Sequence, residues 1–259
     1  MSSGSISFDR AAPYYDRTRG LSEEALSRLI PMVAAELPRG ERILEVGVGT
    51  GRIALPLVRE GVRIVGIDIA AEMLSRLREK ADGAGPPLAI ADATRLPFAD
   101  DAFGGAVAAH VLHLLPDWRN AVSEIFRVVR PQGVVIASRG GRTQSGEWWN
   151  AIRREFFRAA GDRHWPPGMD RIEELDEEMA SRGAVVTKLP EITETKSASV
   201  RELLALLDEG VWSACWSIDP DTRRLAVEST RRWAVEKFGD LDERRPLTEV
   251  LGWRSYRLP

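Results

Sequence analysis

The chain has 259 residues, 44% of them hydrophobic and 29% charged, which excludes a disordered or fibrous protein and fits a globular α/β domain with one insertion. The 36 Lys and Arg residues nearly balance the 39 Asp and Glu residues, and the net charge of −3 provides no general attraction to nucleic acid or anionic lipid. A single cysteine, Cys215, excludes an intrachain disulfide and a zinc site built from cysteines.

The first 40 residues predict an arm followed by a helix. The aromatic residues Phe8, Tyr14 and Tyr15 mark the arm, and apolar residues at helical spacing extend over 21–37. A Pro-Arg-Gly sequence ending at Gly40 terminates this helix.

From residue 42 onward, strand and helix patterns alternate along the chain. The predicted strands are 42–46, 62–67, 87–91, 102–109 and 133–138, and the predicted helices between them are 53–60, 70–81 and 118–129. Such alternation predicts a parallel sheet that is covered by helices on both faces and joined by right-handed crossovers.

The character of the chain changes after residue 140, where seven of the eight Trp residues lie. Weak alternation over 184–195 and 248–258 predicts two late strands that complete the sheet at its edge. We therefore expect an arm and helix over the cofactor site, a core, a substrate cap, and a helix with edge strands that complete the core. These parts are 1–40, 41–142, 143–169 with 197–243, and 170–196 with 244–259.

The segment from Glu45 to Gly51 predicts a ligand-binding turn. A buried strand leads into three glycines at alternate positions, Gly47, Gly49 and Gly51, and a helix follows. Glycines permit a sharp turn and close approach of a ligand, and the N–H groups at a helix start bind polar or anionic ligand ends. A dinucleotide-binding turn has a third glycine where this chain has Arg52, which disfavours a nicotinamide oxidoreductase.

Two acidic residues follow the next two strands. Asp68 ends the second strand, where a carboxylate accepts hydrogen bonds from both hydroxyls of a ribose. Its alternative role is to cap the helix that begins near Ala70. Asp92 ends the third strand, and its alternative role is to form a turn.

Taken together, these segments resemble the class I S-adenosylmethionine-dependent methyltransferases. The acid-x-Gly-x-Gly-x-Gly pattern at 45–51 resembles the first motif of that family, and 91–98, 110–118 and 127–133 resemble its later motifs. Gln132 stands where the family often has Gly. The likeness covers 8–138, and beyond it the chain is loosely similar to the ubiquinone-biosynthesis-like, or type 11, group.

The resemblance implies a fold and a set of cofactor contacts. The fold is Rossmann-like and doubly wound, with a mostly parallel seven-stranded sheet, an antiparallel edge strand and a helical, aromatic-rich cap. In the family, an acid at the position of Asp92 accepts the adenine amino hydrogens, the backbone N–H of Ala93 meets the ring, and Ile69 borders it. The predicted residues that bind S-adenosylmethionine are Tyr15, Arg19, Glu45, Gly47, Gly49, Gly51, Asp68, Ile69, Met73, Asp92, Ala93 and His110.

Two histidines are candidate bases for an acceptor that must lose a proton. His110 follows the fourth strand, where contact with the methionine part of the cofactor is favoured over catalysis. His164 lies in a Pro-rich loop of the predicted cap. His113 either belongs to the same region or packs against a helix. No nearby acid joins these residues in a metal site, so no metal is predicted.

Several tryptophans in the second half of the chain are candidates for the wall of an acceptor chamber. Ligand chambers are commonly apolar with a few polar groups. The alternative is that these rings form only the core of the cap, because Trp is highly buried on average. The candidates are Trp148, Trp149, Trp165, Trp212 and Trp216.

We expect methyl transfer from S-adenosylmethionine to a small-molecule acceptor by in-line displacement, with S-adenosylhomocysteine as the product. The alternative is a protein that binds the cofactor without methyl transfer, as a sensor or scaffold, and product formation separates the two. No nucleic acid or membrane partner is expected. Since the first residues lack a signal pattern and no apolar run is long enough to span a bilayer, a cytoplasmic protein is expected. The acceptor, its attacking atom and the oligomeric state stay open.

Overall fold

A computed structural model describes residues 5–139, the backbone of 141–145, and residues 147–161 and 168–259. The chain divides into two compact units. The first comprises Met1–Gly140, Pro166–Ile192 and Leu251–Pro259, and the second comprises Gly141–Trp165 and Thr193–Val250.

Two sheets organise the chain. The strands are β1 (Arg42–Val46), β2 (Arg63–Asp68), β3 (Leu88–Ile90), β4 (Phe103–Ala109), β5 (Val129–Ser138), β6 (Gly141–Ser145), β7 (Val185–Lys188), β8 (Ile192–Ala198), β9 (Arg245–Leu251) and β10 (Arg254–Arg257). The larger sheet has seven strands in the order β3-β2-β1-β4-β5-β10-β7, and the smaller has the order β6-β9-β8. In the larger sheet β1 to β5 run parallel, whereas β10 is antiparallel to both β5 and β7.

Helices cover both faces of the larger sheet. The helices of the chain are α1 (Tyr15–Arg19), α2 (Glu23–Glu36), α3 (Ala54–Arg59), α4 (Ala71–Ala81), α5 (Trp118–Val128), α6 (Glu147–Ala159), α7 (Ile172–Ser181), α8 (Val200–Asp208) and α9 (Pro220–Phe238). The buried side chains of α2, α3 and α4 form one core with the sheet, and those of α5 and α7 form another. None of the described helices is long and apolar enough to cross a membrane.

The sequence explains why these helices lie where they do. The Ser22 side chain accepts a hydrogen bond from the Ala25 N–H at 3.1 Å, which satisfies a donor at the start of α2. In α4, Met73, Leu74 and Leu77 are buried and lie at helical spacing, so one face of the helix packs on the sheet.

The predicted Rossmann-like sheet is confirmed, because it is mostly parallel, has seven strands and lies between helices, whereas the helical, aromatic-rich cap stays a prediction. One detail differs: the antiparallel strand β10 lies one position inside the edge, and β7 forms the edge. Burial explains the order, since Tyr256 of β10 is fully buried whereas Val185 of β7 is 65% exposed.

Each of the two late segments that the sequence predicts as a single strand contains two strands. Pro190 separates β7 from β8, and proline cannot donate to a strand ladder. Gly252 lies between β9 and β10, and glycine has no side chain with which a strand can pack. As a result, β9 pairs in the smaller sheet, and from the predicted 244–259 segment only β10 joins the larger one.

The second unit has a core of its own. Ile152 and Phe156 of α6 pack with Leu203 and Leu207 of α8 and with Ala226 of α9, and all five are buried. The predicted role of this region as a substrate cap stays a prediction.

A buried polar network fixes β10 to α7. The Tyr256 hydroxyl donates to Asp176 Oδ1 at 2.8 Å, and Arg254 Nε donates to Asp176 Oδ2 at 3.0 Å. Glu173 lies farther from the guanidinium, with its Oε1 at 3.8 Å from Arg254 Nη2. Since the Arg254 side chain is only 8% exposed, Asp176 is its main compensating charge.

We predict that Asp176→Ala lowers the free energy of unfolding by about 3–5 kcal/mol, because it leaves a buried arginine without its main partner. Urea denaturation measures this loss. Arg119→Ala is the control, since the Arg119–Glu178 pair is exposed on the arginine side and such pairs contribute about 0–1 kcal/mol. A loss in Asp176→Ala no larger than the control's would contradict the prediction.

Candidate functional site

A glycine turn links β1 to α3 at the carboxyl edge of the larger sheet. Gly47, Gly49 and Gly51 have φ values of +69°, +54° and +77°, which lie in the left-handed region that favours glycine. A Cβ on Gly47 would lie 2.6 Å from a Val111 methyl, so a larger residue does not fit there. The Val48 N–H donates to the Ile67 carbonyl at 2.9 Å and joins the turn to β2.

Asp68 is held against this turn by two backbone donors. Its Oδ2 accepts from the Gly49 N–H at 2.8 Å, and its Oδ1 accepts from the Ala70 N–H at 2.9 Å. Burial raises the pKa of the Asp68 carboxyl, and the bonds from Ala70 and Gly49 oppose that rise. One oxygen of Asp68 thus bonds to Ala70, directly before α4, and the other bonds to the glycine turn.

The third strand ends in a second acidic turn. Asp92 Oδ1 accepts from both the N–H and the hydroxyl of Thr94, each at 2.9 Å. The Ser5 hydroxyl of the arm lies 3.4 Å from the same oxygen. Asp92 therefore forms a turn and faces the N-terminal arm.

Most of the predicted cofactor-binding residues line one cleft of the first unit. They are Tyr15, Gly47, Gly49, Asp68, Ile69, Met73, Asp92, Ala93 and His110. The sequence did not identify the other lining residues, which are Ser5, Ile6, Phe8, Ile67, Ala91, Ala109, Val111, Leu114 and Leu115. Several of these residues lie at or near the ends of strands, so the strand pattern of the sequence could have indicated them. Nothing in the sequence pattern indicates Ser5 and Ile6.

The arm covers part of this cleft. The ring of Phe8 meets that of Tyr15 edge to face, with centroids 6.1 Å apart, and both pack near Met73 and Ala70. The cavity volume is about 70 Å³, below the roughly 300–1,000 Å³ of most ligand sites. The cleft is therefore narrower than a nucleoside-sized ligand needs.

Glu45 lines a smaller cavity beside the cleft, together with Tyr15, Gly49 and Arg52. The residue is 2% exposed, and its Oε2 has no hydrogen-bond partner among the described residues. Burial raises its pKa to about 8, an effect that Arg52 opposes and Asp68 reinforces. The carboxyl group is therefore largely protonated at neutral pH.

Arg19 and Gly51 line neither cavity. The Arg19 carbonyl accepts from Arg52 Nη1 at 2.5 Å, which ties the end of α1 to the glycine turn. A Cβ on Gly51 would lie 2.8 Å from the Leu77 side chain, so this glycine is required by packing against α4. Their predicted contacts with a cofactor stay predictions.

His110 follows β4 in a left-handed conformation, with φ of +59°. Non-glycine residues rarely adopt it, and it is often found at functional sites. The imidazole lies edge to face with the Trp253 ring at a centroid distance of 6.4 Å, and its Nε2 has no partner in the described chain. Burial, aided by Arg52, His113, Arg19 and Arg139, holds the pKa of His110 well below its usual value, so the ring is neutral.

The predicted chamber residues pack on the second unit's own core. Trp149 contacts both Trp148 and Trp212 edge to face, at centroid distances of 5.6 and 5.9 Å. Trp216 donates its indole N–H to the Gly210 carbonyl at 3.0 Å. These contacts favour the core interpretation. Trp165 and the candidate base His164 lie outside the described residues.

Within the described part of the chain, no group of three or more His, Cys, Asp or Glu side chains is arranged to hold a metal ion.

We predict that the ligand-free protein loses stability as pH rises from about 7 to about 8.5, at up to about 1.4 kcal/mol per pH unit. Glu45 has a folded pKa of about 8 against an ordinary value of 4.5, so its stabilisation is complete below the ordinary value and is lost as pH rises through about 8. In this window the buried histidines oppose the loss only weakly, because their unfolded forms, with an ordinary pKa of about 6.5, are mostly neutral above pH 7. Urea denaturation across the window measures the effect.

Glu45→Gln is the control, because the amide keeps the shape without titrating. It should show a smaller decline over the same pH range. Equal pH dependence in both proteins would show that Glu45 does not carry a raised pKa.

Comparison with known proteins shows which proteins the chain is similar to. Residues 44–137 match the family model for a methyltransferase domain. The chain is 40% identical over 136 residues to a phosphatidylethanolamine N-methyltransferase of Cereibacter sphaeroides, covering 51% of this chain and 65% of that protein. It is 33% identical over 132 residues to a demethylmenaquinone methyltransferase of Streptomyces avermitilis, covering 50% and 56%. The match thus spans less than two thirds of either relative.

Solved structures support the fold over a longer stretch. The YcgJ protein of Bacillus subtilis superposes with a TM-score of 0.61 at 15% identity, covering 92% of this chain and all of the other. At this identity the likeness concerns the fold alone.

Proposed function

We propose that the protein is a class I S-adenosylmethionine-dependent methyltransferase that transfers the methyl group of S-adenosylmethionine to a small-molecule acceptor. The match of residues 44–137 to the family model for a methyltransferase domain and the similarity to named methyltransferases support this proposal. The observation that carries the proposal is the carboxylate of Asp68, held against the Gly49 N–H at the carboxyl edge of the sheet. This edge is where open α/β sheets bind ligands.

The residues of the cleft fit the cofactor in three respects. The glycine turn leaves room for close approach, because Gly49 has no side chain and a Cβ there would lie 3.3 Å from Met73 Cε. Asp68 offers carboxylate oxygens to ribose hydroxyls. The buried Glu45 Oε2 has no partner among the described residues and can accept a hydrogen bond from an ammonium group.

When bound, the cofactor supplies an electrophilic methyl group on a positive sulfur. The chain's own residues then bind and orient the cofactor and the acceptor and exclude water, which is most of what such a transfer requires. Ile69 and Met73 form an apolar side of the cleft, and Tyr15 closes the side next to the arm. Asp92 and Ala93, which follow β3, would contact the adenine base.

His110 is assigned an orienting role in this scheme. Its neutral ring lines the cleft and has a donor or acceptor position without a partner among the described residues. Because its pKa is lowered well below the usual value, the ring is a weak base and is better suited to hydrogen bonding than to proton abstraction. Contact with the cofactor therefore remains favoured over catalysis.

The acceptor class is a small molecule. One relative is named for phosphatidylethanolamine and another for demethylmenaquinone, so their names give no common acceptor. The charge balance of the chain supports a small molecule over a nucleic acid.

We predict that Asp68→Ala weakens S-adenosylhomocysteine binding by about ten- to a hundredfold, because a charge-assisted pair of hydrogen bonds is lost. Calorimetric titration measures the affinity, and thermal unfolding checks the fold. Asp117→Ala is the matched control, since Asp117 is exposed and makes no capping bond to α5. An unchanged affinity in a folded Asp68→Ala protein would contradict the assignment of Asp68 to the ribose hydroxyls.

Product formation tests the transfer itself. We expect the protein to convert S-adenosylmethionine to S-adenosylhomocysteine when it is incubated with a panel of amine, hydroxyl and carboxylate metabolites. Tight binding of S-adenosylhomocysteine with no turnover on any acceptor would instead support a sensor or scaffold.

A further inference from the structure

Unpartnered polar atoms gather at one edge of the first unit. Five buried side-chain atoms there have no hydrogen-bond partner among the described residues, although buried polar atoms are nearly always bonded in folded proteins. They are Glu45 Oε2, His110 Nε2, His113 Nδ1, Arg139 Nε and Trp253 Nε1. All five residues lie at or just beyond the carboxyl ends of β1, β4 and β5, or immediately before β10.

Three of these atoms belong to residues outside the predicted cofactor contacts, and the sheet brings the chain segments that carry them to the same edge. His113 is in the short helical turn Leu112–Leu114 after β4, Arg139 directly follows β5, and Trp253 directly precedes β10. The antiparallel register pairs Arg254 with Ala137, so the start of β10 lies at the end of β5.

Ser138 connects these chain segments. Its carbonyl accepts from the His110 N–H at 2.8 Å, and its hydroxyl donates to the Gly252 carbonyl at 2.9 Å. Ser138 directly precedes Arg139 and Gly252 directly precedes Trp253, so the two chain segments are tied to each other and to His110.

The electrostatic surroundings of this edge are positive. Burial lowers the pKa of His113 to about 3, and the charged groups that add to the effect are Arg139 and Arg19, both cations. The charged groups that act on His110 are likewise cations, with Arg52 the strongest. The compensating acid nearest to Arg139 is Asp170, whose Oδ1 lies 3.5 Å from Nη2 and whose side chain is 68% exposed.

The hydrogen-bond donors of these side chains indicate the kind of ligand that can bind to them. Arg139 Nε and Trp253 Nε1 can only donate, and His113 Nδ1 donates in one tautomer of the neutral ring. A group that satisfies them must bring hydrogen-bond acceptors, and the excess of cations favours one with negative charge.

We propose that Arg139, Trp253 and His113 bind an oxyanion of the methyl acceptor, a carboxylate or a phosphate. That the ligand is the methyl acceptor rests on the proposed function. That the ligand is negatively charged rests on the geometry of this edge. The set is distinct from Asp68 and the glycine turn, which are assigned to the cofactor.

Benzoate, phenyl phosphate and neutral benzamide serve as probes, each titrated calorimetrically into the protein saturated with S-adenosylhomocysteine. We expect at least one anion to bind about tenfold or more tightly than benzamide, because hydrogen bonds to charged groups are the strong ones. Tighter binding of benzoate identifies a carboxylate site, and tighter binding of phenyl phosphate identifies a phosphate site.

Two variants connect the binding to the named atoms. Arg139→Gln should weaken the anion by about tenfold or more while leaving S-adenosylhomocysteine affinity unchanged, and Arg139→Lys should restore part of the loss. Arg119→Gln is the matched control, since it removes a guanidinium whose ion pair is exposed on the arginine side. It should bind the anion as the wild type does.

Trp253 supplies a spectroscopic readout that a merely structural role would not move. Its indole N–H resonance is identified by its absence in Trp253→Phe, which keeps an aromatic ring. The anion should shift this resonance downfield in the wild type, and benzamide should not. No anion binding by the wild type, equal anion affinity in Arg139→Gln, or an unmoved Trp253 resonance overturns the proposal.

The titration of S-adenosylhomocysteine alone separates the two proposals. If that ligand binds and the anions do not, the oxyanion site fails and the proposed function stands. If the anions bind through Arg139 while S-adenosylhomocysteine does not bind, the oxyanion site stands and the cofactor assignment fails.

Discussion

The hydrogen bond from the Gly49 N–H to the Asp68 carboxylate is the interaction on which the cleft depends. It requires a left-handed residue at Gly49, which points the backbone donor at the end of β2. The other oxygen of Asp68 accepts from Ala70, where α4 begins, and α4 carries Met73 back to the turn. One carboxylate thus fixes the glycine turn, the end of β2 and the start of α4 relative to one another.

Burial favours the neutral forms of Glu45, His110 and His113 and leaves the arginines as permanent charges of this edge. The same desolvation raises the pKa of Glu45 and lowers that of His110, because in each case it disfavours the charged form. Acidic residues lie at or near the carboxyl ends of β1, β2 and β3, whereas histidines and Arg139 follow β4 and β5. The sheet therefore carries its acids on β1 and the strands to one side of it and its basic groups on the strands to the other side, so that a ligand spanning the edge meets two different environments.

Local patterns in the sequence were sufficient to predict the parallel core. The strand–helix alternation predicted β1 to β5 in order, and the glycine spacing located the turn beside which Asp68 now lies. These features are local, because each strand end and the residue after it are contiguous in the chain.

Features that depend on distant pairing were not predictable in this way. The insertion of β10 between β5 and β7 depends on a register between residues more than a hundred positions apart. The smaller sheet was missed for the same reason, since β6 pairs with β9 across the four helices α6 to α9. Arg139 and Trp253 have no motif around them, and their significance emerges only when β10 brings the two chain segments together.

The placement of β10 also explains how Trp253 can be held at the edge with an unpartnered N–H. Successive residues of a strand point to opposite faces, and here Ser255 donates to Glu36 of α2 while Tyr256 donates to Asp176 of α7. Both faces of the strand are thereby tied to helices. Trp253 shares the face of Ser255 and packs with the α2 core, so its ring is fixed by contacts that do not use the indole nitrogen. A donor fixed in this way keeps its direction without an acceptor among the described residues, which is the condition for recognising one in a ligand.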